Sequence, residues 1–136
     1  MAEYVLTDAS VTINTVDLSD HVRQVTIDYS AETPESTAMG DTVKAKLPGL
    51  TDFKIELEFN QDYDSAKVNA TLFPLAGAAA FAIAIRPDSA VVGADNPEFQ
   101  GDVLLSSYNP LGGKVGEVAT TKATFVGDGV LTRATA

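Results

Sequence analysis

Apolar and polar residues alternate most cleanly over residues 53–60, where Phe53, Ile55, Leu57 and Phe59 are separated by Lys54, Glu56, Glu58 and Asn60. A period of two is that of a strand with one buried face and one wet face. From Val68 the spacing changes to four and three, through Leu72 and Leu75, as when a helix presses one stripe onto a sheet. Asp64 or Ser65 is the expected N-cap. Pro74 and Gly77 should end the helix after about two or three turns, before Phe81, Ile83 and Ile85 resume strand spacing. The stretch 53–87 therefore reads as strand, helix, strand, and the rest of the chain is organised around it.

Residues 3–18 read as a small hairpin, with Val11 and Ile13 on one face, Asn14-Thr15 turning and Val16-Asp17-Leu18 returning. Ser19-Asp20-His21 makes a turn into a second well-patterned strand, in which Val25, Ile27 and Tyr29 alternate with Gln24, Thr26 and Asp28. Residues 30–42 have no hydrophobic period and read as an exposed loop. Val43, Ala45 and Leu47 then alternate with Lys44 and Lys46 as a strand, and Pro48-Gly49 turns into the central strand. A loop this long in a compact domain is usually functional or disordered, and without a catalytic set nearby its function is contact with a partner.

After a turn at 86–89, residues 91–96 read as a loop with a short edge strand, and Pro97 starts the next element. Phe99, Val103 and Leu105 share one strand face, with Gly101 as a bulge or close-approach site. Asn109 to Gly113 is a turn, and residues 117–126 form another strand. Gly127-Asp128-Gly129 is a hairpin signal, with Val130 to Ala134 as a returning edge strand or C-terminal arm. The fold class is mainly β: a β-sandwich or barrel of about seven to eight strands, with one short α-helix packed on one face and a long exposed loop. All of 1–136 is expected to form a single domain, with 31–49 as its extended loop or hairpin.

Composition removes most catalytic frameworks. There is no cysteine and one histidine in 136 residues, so thiolate chemistry, disulfides and histidine-rich metal sites are excluded within one chain. His21 reads as a turn residue, with no serine or second histidine placed to make it catalytic. Glu56 and Glu58 share a strand face, but same-face carboxylates on a wet strand are its solvated side, and no tryptophan offers a sugar platform. Asn60, Asp62 and Asp64 begin like a calcium loop that then fails twice, at Ser65 and Thr71. Asp62 and Asp64 read instead as caps of the helix dipole. Asn69-Ala70-Thr71 matches a glycosylation sequon inside the expected helix, and Gly112-Gly113 lacks the Lys-Ser/Thr of a phosphate loop. Neither an enzyme nor a cofactor is expected. Residues 70–85, the most apolar run, are shorter than the roughly 20 residues that span a bilayer, so no membrane is expected. Met1 to Tyr4 lacks the basic start of a signal peptide, which points to synthesis in the cytoplasm.

The net charge of −10 works against binding nucleic-acid phosphates, whose affinity comes from Lys and Arg. The same repulsion suits a conduit through which DNA must slide.

Three stretches together resemble the major tail tube proteins of long-tailed, siphovirus-type bacteriophages: TVDLSDHVRQVTIDY, then STAMGDTVKAKLPGLTDFKIELEFNQD followed by VNATLFPL, then NPEFQGDVLLSSYNPLGGKVGEVATTKATFVGDGVLTR. The specificity lies in their order along most of the chain. The resemblance implies a β-sandwich flanked by a helix and hexameric rings stacked helically into a hollow tube in the virion for delivery of double-stranded DNA. It implies as partners the phage tail terminator, tape measure and baseplate or tip proteins. The excursion would supply stacking contacts through Thr33, Pro34, Glu35, Ser36, Thr37, Ala38, Met39, Gly40 and Asp41. Lumen-facing candidates are Asp28, Glu56, Glu58 and Asp102, each opposite the apolar face of an expected strand, while Lys44, Lys46 and Lys54 are candidates for pairing across subunits. The rival reading is another virion or surface β-sandwich, a capsid decoration or carbohydrate-binding module.

Overall fold

The computed structural model describes residues 9–65 and 67–135. Residues 3–8 of the expected N-terminal hairpin lie outside them. Eight strands follow in chain order: β1 (Ser10–Ile13), β2 (Val16–Asp17), β3 (Val22–Ala31), β4 (Thr51–Asn60), β5 (Phe81–Arg86), β6 (Glu98–Tyr108), β7 (Thr120–Gly127) and β8 (Thr132–Ala134). The helix α1 (Val68–Leu72) continues into a 3-10 turn at Phe73–Leu75. All strand pairs are antiparallel, in the order β2-β1-β5-β6-β7-β4-β3, with β8 also on β6.

The connectivity forces this sheet to curl. β2 and β3 lie at opposite ends of the strand order, yet only Leu18 to His21 separate them in the chain. Four linking residues reach about 18 Å at full extension, whereas six inter-strand gaps of a flat sheet would span about 29 Å. The edges therefore approach one another and the apolar faces turn inward as in an open barrel. Phe53, Ile55, Leu57 and Phe59 of β4, Val11 and Ile13 of β1, Ile83 of β5, Val103 of β6 and Phe125 of β7 are all buried in one cluster. Phe81 meets Phe125 edge to face at 6.0 Å between ring centres. Val68, Leu72 and Leu75 close the cluster from the helical segment.

Several local expectations give way. The hairpin of β1 and β2 does form on Asn14-Thr15, with both residues at positive φ as its two-residue loop requires. Lys67, not Asp64 or Ser65, precedes the helix, and no side chain caps it. The Asp62 carboxylate is engaged elsewhere: it accepts from the Asp64 amide at 2.9 Å and pairs with His21 at 2.8 Å, while its carbonyl takes the Asn69 amide. No strand forms in 91–96, where one Gly93–Asn96 bridge is held by the Asn96 amide donating to the Asp88, Ala90 and Val91 carbonyls. Gly127-Asp128-Gly129 is not a hairpin. β8 pairs with the same side of β6 as β7 does, so the chain carries on in one direction through a bulge. The Asp128 amide still bonds the Asp102 carbonyl there, and Gly129 takes φ 123°. Gly127 and Gly101 leave room for the Phe53 ring: a Cβ on either would lie 2.5 or 2.8 Å from it.

Candidate functional site

Two surfaces carry the residues singled out from the sequence: a projecting arm and the wet face of the sheet. The arm prolongs β3 and β4 beyond the body. Its backbone bonds run from the Glu32 amide to the Leu50 carbonyl (2.8 Å), Gly49 to Glu32 (2.7 Å), Leu47 to Pro34 (2.9 Å) and Ser36 to Ala45 (2.7 Å). The Thr37 hydroxyl accepts from the Ala45 amide at 2.9 Å, and the Asp41 carboxylate accepts from Ala38 at 2.7 Å across the tip. The expected strand at 43–47 is thus half of a two-stranded ribbon whose two sides pair only with each other, and only the Glu35–Lys46 bridge interrupts its irregular geometry. Every residue from 31 to 50 is exposed, including Met39, Val43, Leu47 and Leu50. Thr33 to Asp41 form its outgoing side and tip.

Asp28, Glu56, Glu58 and Asp102 fall on one face of the sheet. Pairing sets Asp28 beside Lys54, Glu56 between Thr26 and Thr124, and Glu58 between Gln24 and Lys122. Asp102 stands further along the same face, on β6 opposite Ala82. Asp28, Glu56 and Asp102 are exposed and Glu58 half-buried; Glu56 and Glu58 line a shallow depression together with Lys122 and Thr124. Lys54 reaches Glu56 within the chain at 3.0 Å, and that hydrogen bond and charge raise the lysine's pKa above its ordinary value. Lys54 thus has a partner within its own chain while remaining exposed, and Lys44 and Lys46 sit on the arm. With Asp52 on the same face, carboxylates outnumber the lysines Lys54 and Lys122.

His21 is tied to Asp62, whose pKa is lowered first by the Asp64 amide and then by the His21 bond. The pair fastens the β2–β3 link to the end of β4. Among the described residues no group of three or more His, Cys, Asp or Glu could hold a metal ion, and no helix is long and apolar enough to cross a membrane.

Sequence reasoning missed an apolar groove of about 370 Å³ where the curled sheet leaves its seam open, lined by Val25, Ile27, Tyr29, Ile85, Phe99 and Leu131 with Arg86 at the rim. The alternation of β3 marked its apolar row but could not show that the row would be only partly covered, with Tyr29 60% exposed.

No protein-family model matches the sequence, and no curated protein matches it. Solved structures do match in shape. A chain of the sheath/tube terminator of the PVC extracellular contractile injection system superposes with a TM-score of 0.74 at 14% identity, over 98% of this chain and 97% of that one. The described fold is the fold of tail and tube proteins. A chain of the native gene transfer agent virion gives 0.71 at 16% identity, over 93% and 95%. A chain of the tail of the empty gene transfer agent particle, refined helically with C6 symmetry, gives 0.65 at 16% identity, over 82% and 81%.

Proposed function

We propose that this chain is the subunit of a phage-type tail tube: copies close into hexameric rings, and the rings stack helically into a hollow conduit for double-stranded DNA. The observation that carries the reading is the coextensive fold, matched along 98% of this chain and 97% of a tube terminator chain, with an arm left wholly exposed in the isolated subunit. A subunit meant for an open stack needs a second, heterologous surface beyond its ring contacts, and a projecting ribbon supplies one. Thr33 to Asp41 are its stacking residues. The face bearing Asp28, Glu56, Glu58 and Asp102 lines the lumen, where excess carboxylate keeps phosphates from adhering. The chain works as a structural part of the virion and not as an enzyme, binds no cofactor, and is made in the host cytoplasm. Its further partners are the tail terminator, tape measure and baseplate or tip proteins.

Negative-stain microscopy of concentrated pure protein tests the reading. Hollow tubes of stacked sixfold rings are expected; discrete globular particles at every concentration would overturn it. In assembled tails, replacing the lumen carboxylates with lysine should slow DNA exit, and exit indifferent to that reversal would return the acidic balance to solubility alone.

A further inference from the structure

The arm has a face without a partner. Val43, Ala45 and Leu47 alternate with Lys44 and Lys46 along the ribbon, so one side is apolar, yet Val43 is 77% and Leu47 57% exposed. The ribbon does not fold back onto its own body, since the whole of 31–50 is exposed. A second uncovered apolar surface sits at the other end of the same strands. There Tyr63, Phe73, Pro110 and Leu111 surround a recess of about 460 Å³, with Tyr63, Phe73 and Leu111 more than half exposed.

That second surface is built rigidly. The Pro110 carbonyl accepts from Gln61 Nε2 and from the Tyr63 hydroxyl, both at 2.8 Å. Gln61 Nε2 also donates to the Tyr108 hydroxyl at 3.0 Å, which in turn donates to Asn69 Oδ1 at 2.9 Å. The 109–119 loop, the end of β4 and α1 are thereby locked together around exposed rings. The arm leaves β4 at Thr51 and the recess begins just past Asn60. Ten strand residues put the two about 33 Å apart along one axis.

We infer that the apolar side of one copy's arm docks on the Tyr63–Phe73–Pro110–Leu111 surface of the next copy along the strand axis. The inference rests on the tube reading and adds the receiving surface to it. Head-to-tail translation along that axis brings the arm end of one subunit to the far end of the next, and because the two surfaces differ the contact repeats without closing. Chemistry agrees with this occupant: the row of Val43, Ala45 and Leu47 is apolar, as are the Phe73, Pro110 and Leu111 side chains and the Tyr63 ring that line the recess. The seam groove is a poorer receiver in such a stack, because Tyr29 places it at the arm's own end of β3.

The chain contains no cysteine, so single introduced thiols report contacts without background. Leu47→Cys protein is mixed with Phe73→Cys, with Leu111→Cys or, as the rival site, with Leu131→Cys, concentrated until microscopy shows tubes, and oxidised mildly. The first two mixtures should give disulfide-linked heterodimers and the third none. Tubes without a link to Phe73→Cys or Leu111→Cys, or with a link to Leu131→Cys instead, would overturn the docking site and leave the tube reading standing. Absence of both tubes and links at every concentration would remove both. As a check independent of thiols, Leu47→Asp should raise the concentration needed for assembly at least about tenfold with an unchanged denaturation midpoint; unchanged assembly would count against the site.

Discussion

The arm and the central strand differ in fate more than in pattern. Val43-Lys44-Ala45-Lys46-Leu47 and Phe53-Lys54-Ile55-Glu56-Leu57-Glu58-Phe59 are both strict alternations, and Pro48-Gly49 between them does not make the expected turn, because the Gly49 and Glu32 amides carry the β3–β4 pairing on into the arm. Phe53, Ile55, Leu57 and Phe59 are each at most 2% exposed, while the arm's apolar residues stand in solvent. The central strand has β3 and β7 on its flanks and a helix and opposite strands over its face; the arm has only its own return strand. A period of two therefore announces a face to be covered without saying whether the cover comes from the same chain. In the body it does, and that burial provides stability. In the arm it does not, and the proposed tube gives the uncovered face its cover in a neighbouring copy.

If that contrast is right, truncation should be costly in the body. Phe125→Ala empties a site where the ring is wholly buried against Phe81, and should cost about 3–5 kcal/mol in denaturant unfolding, with Leu72→Ala costing about 2–5 kcal/mol. An unshifted midpoint for Leu72→Ala would show that the helical segment does not close the core. Overpacking comes next. Gly127→Ala forces a methyl within 2.5 Å of the Phe53 ring and should cost about 1–3 kcal/mol, much of it recovered by Phe53→Leu in the same chain. Additive losses in that cycle would mean the ring and the glycine do not meet.

A smaller effect comes from the links around Ser19 and His21. The Asp17 carboxyl is held below its ordinary value by the Ser19 hydroxyl and then the Ser19 amide, and Asp62 by the Asp64 amide and then His21. Lowered folded-state values make each a source of stability that is in place above about pH 4 and lost as pH falls through the folded values. Thermal midpoints between neutral pH and pH 2 should therefore fall less steeply for Asp62→Asn than for the parent; equal slopes would remove Asp62 from the account. The smallest effect belongs to the arm. Replacing residues 33–48 with Asn-Gly should change stability by no more than about 0.5 kcal/mol while abolishing tubes under the microscope. A large loss of stability would show that the arm belongs to the fold after all.

Much of the body was legible because its strands pack one face only. β4, β5 and β7 declared themselves by alternation, α1 by the change of spacing at Val68, and Gly101 by its place inside a strand pattern. What misled were signals whose meaning depends on neighbours. Gly127-Asp128-Gly129 has hairpin chemistry, but β6 runs on past it and offers hydrogen bonds straight ahead, so the chain bulges and continues. Asp64 and Ser65 look like caps, but Gln61, Asp62 and Tyr63 are held by Tyr108, His21 and the 109–119 loop before the helix can begin. The wet-face carboxylates could be named from the pattern, while their gathering onto one face required the register of β3, β4 and β6.

The sequence by itself determined which residues face inward on each strand, where the helical segment lies, and that the surface is acidic, because these depend on local periodicity and composition. Only the tertiary structure decided that the sheet curls until β2 and β3 approach, that the seam stays partly open, and that the arm and the Tyr63–Phe73 surface lie at opposite ends of the molecule. Those outcomes depend on which strands pair and in what register, a choice made by contacts between residues far apart in the chain and invisible to any local pattern.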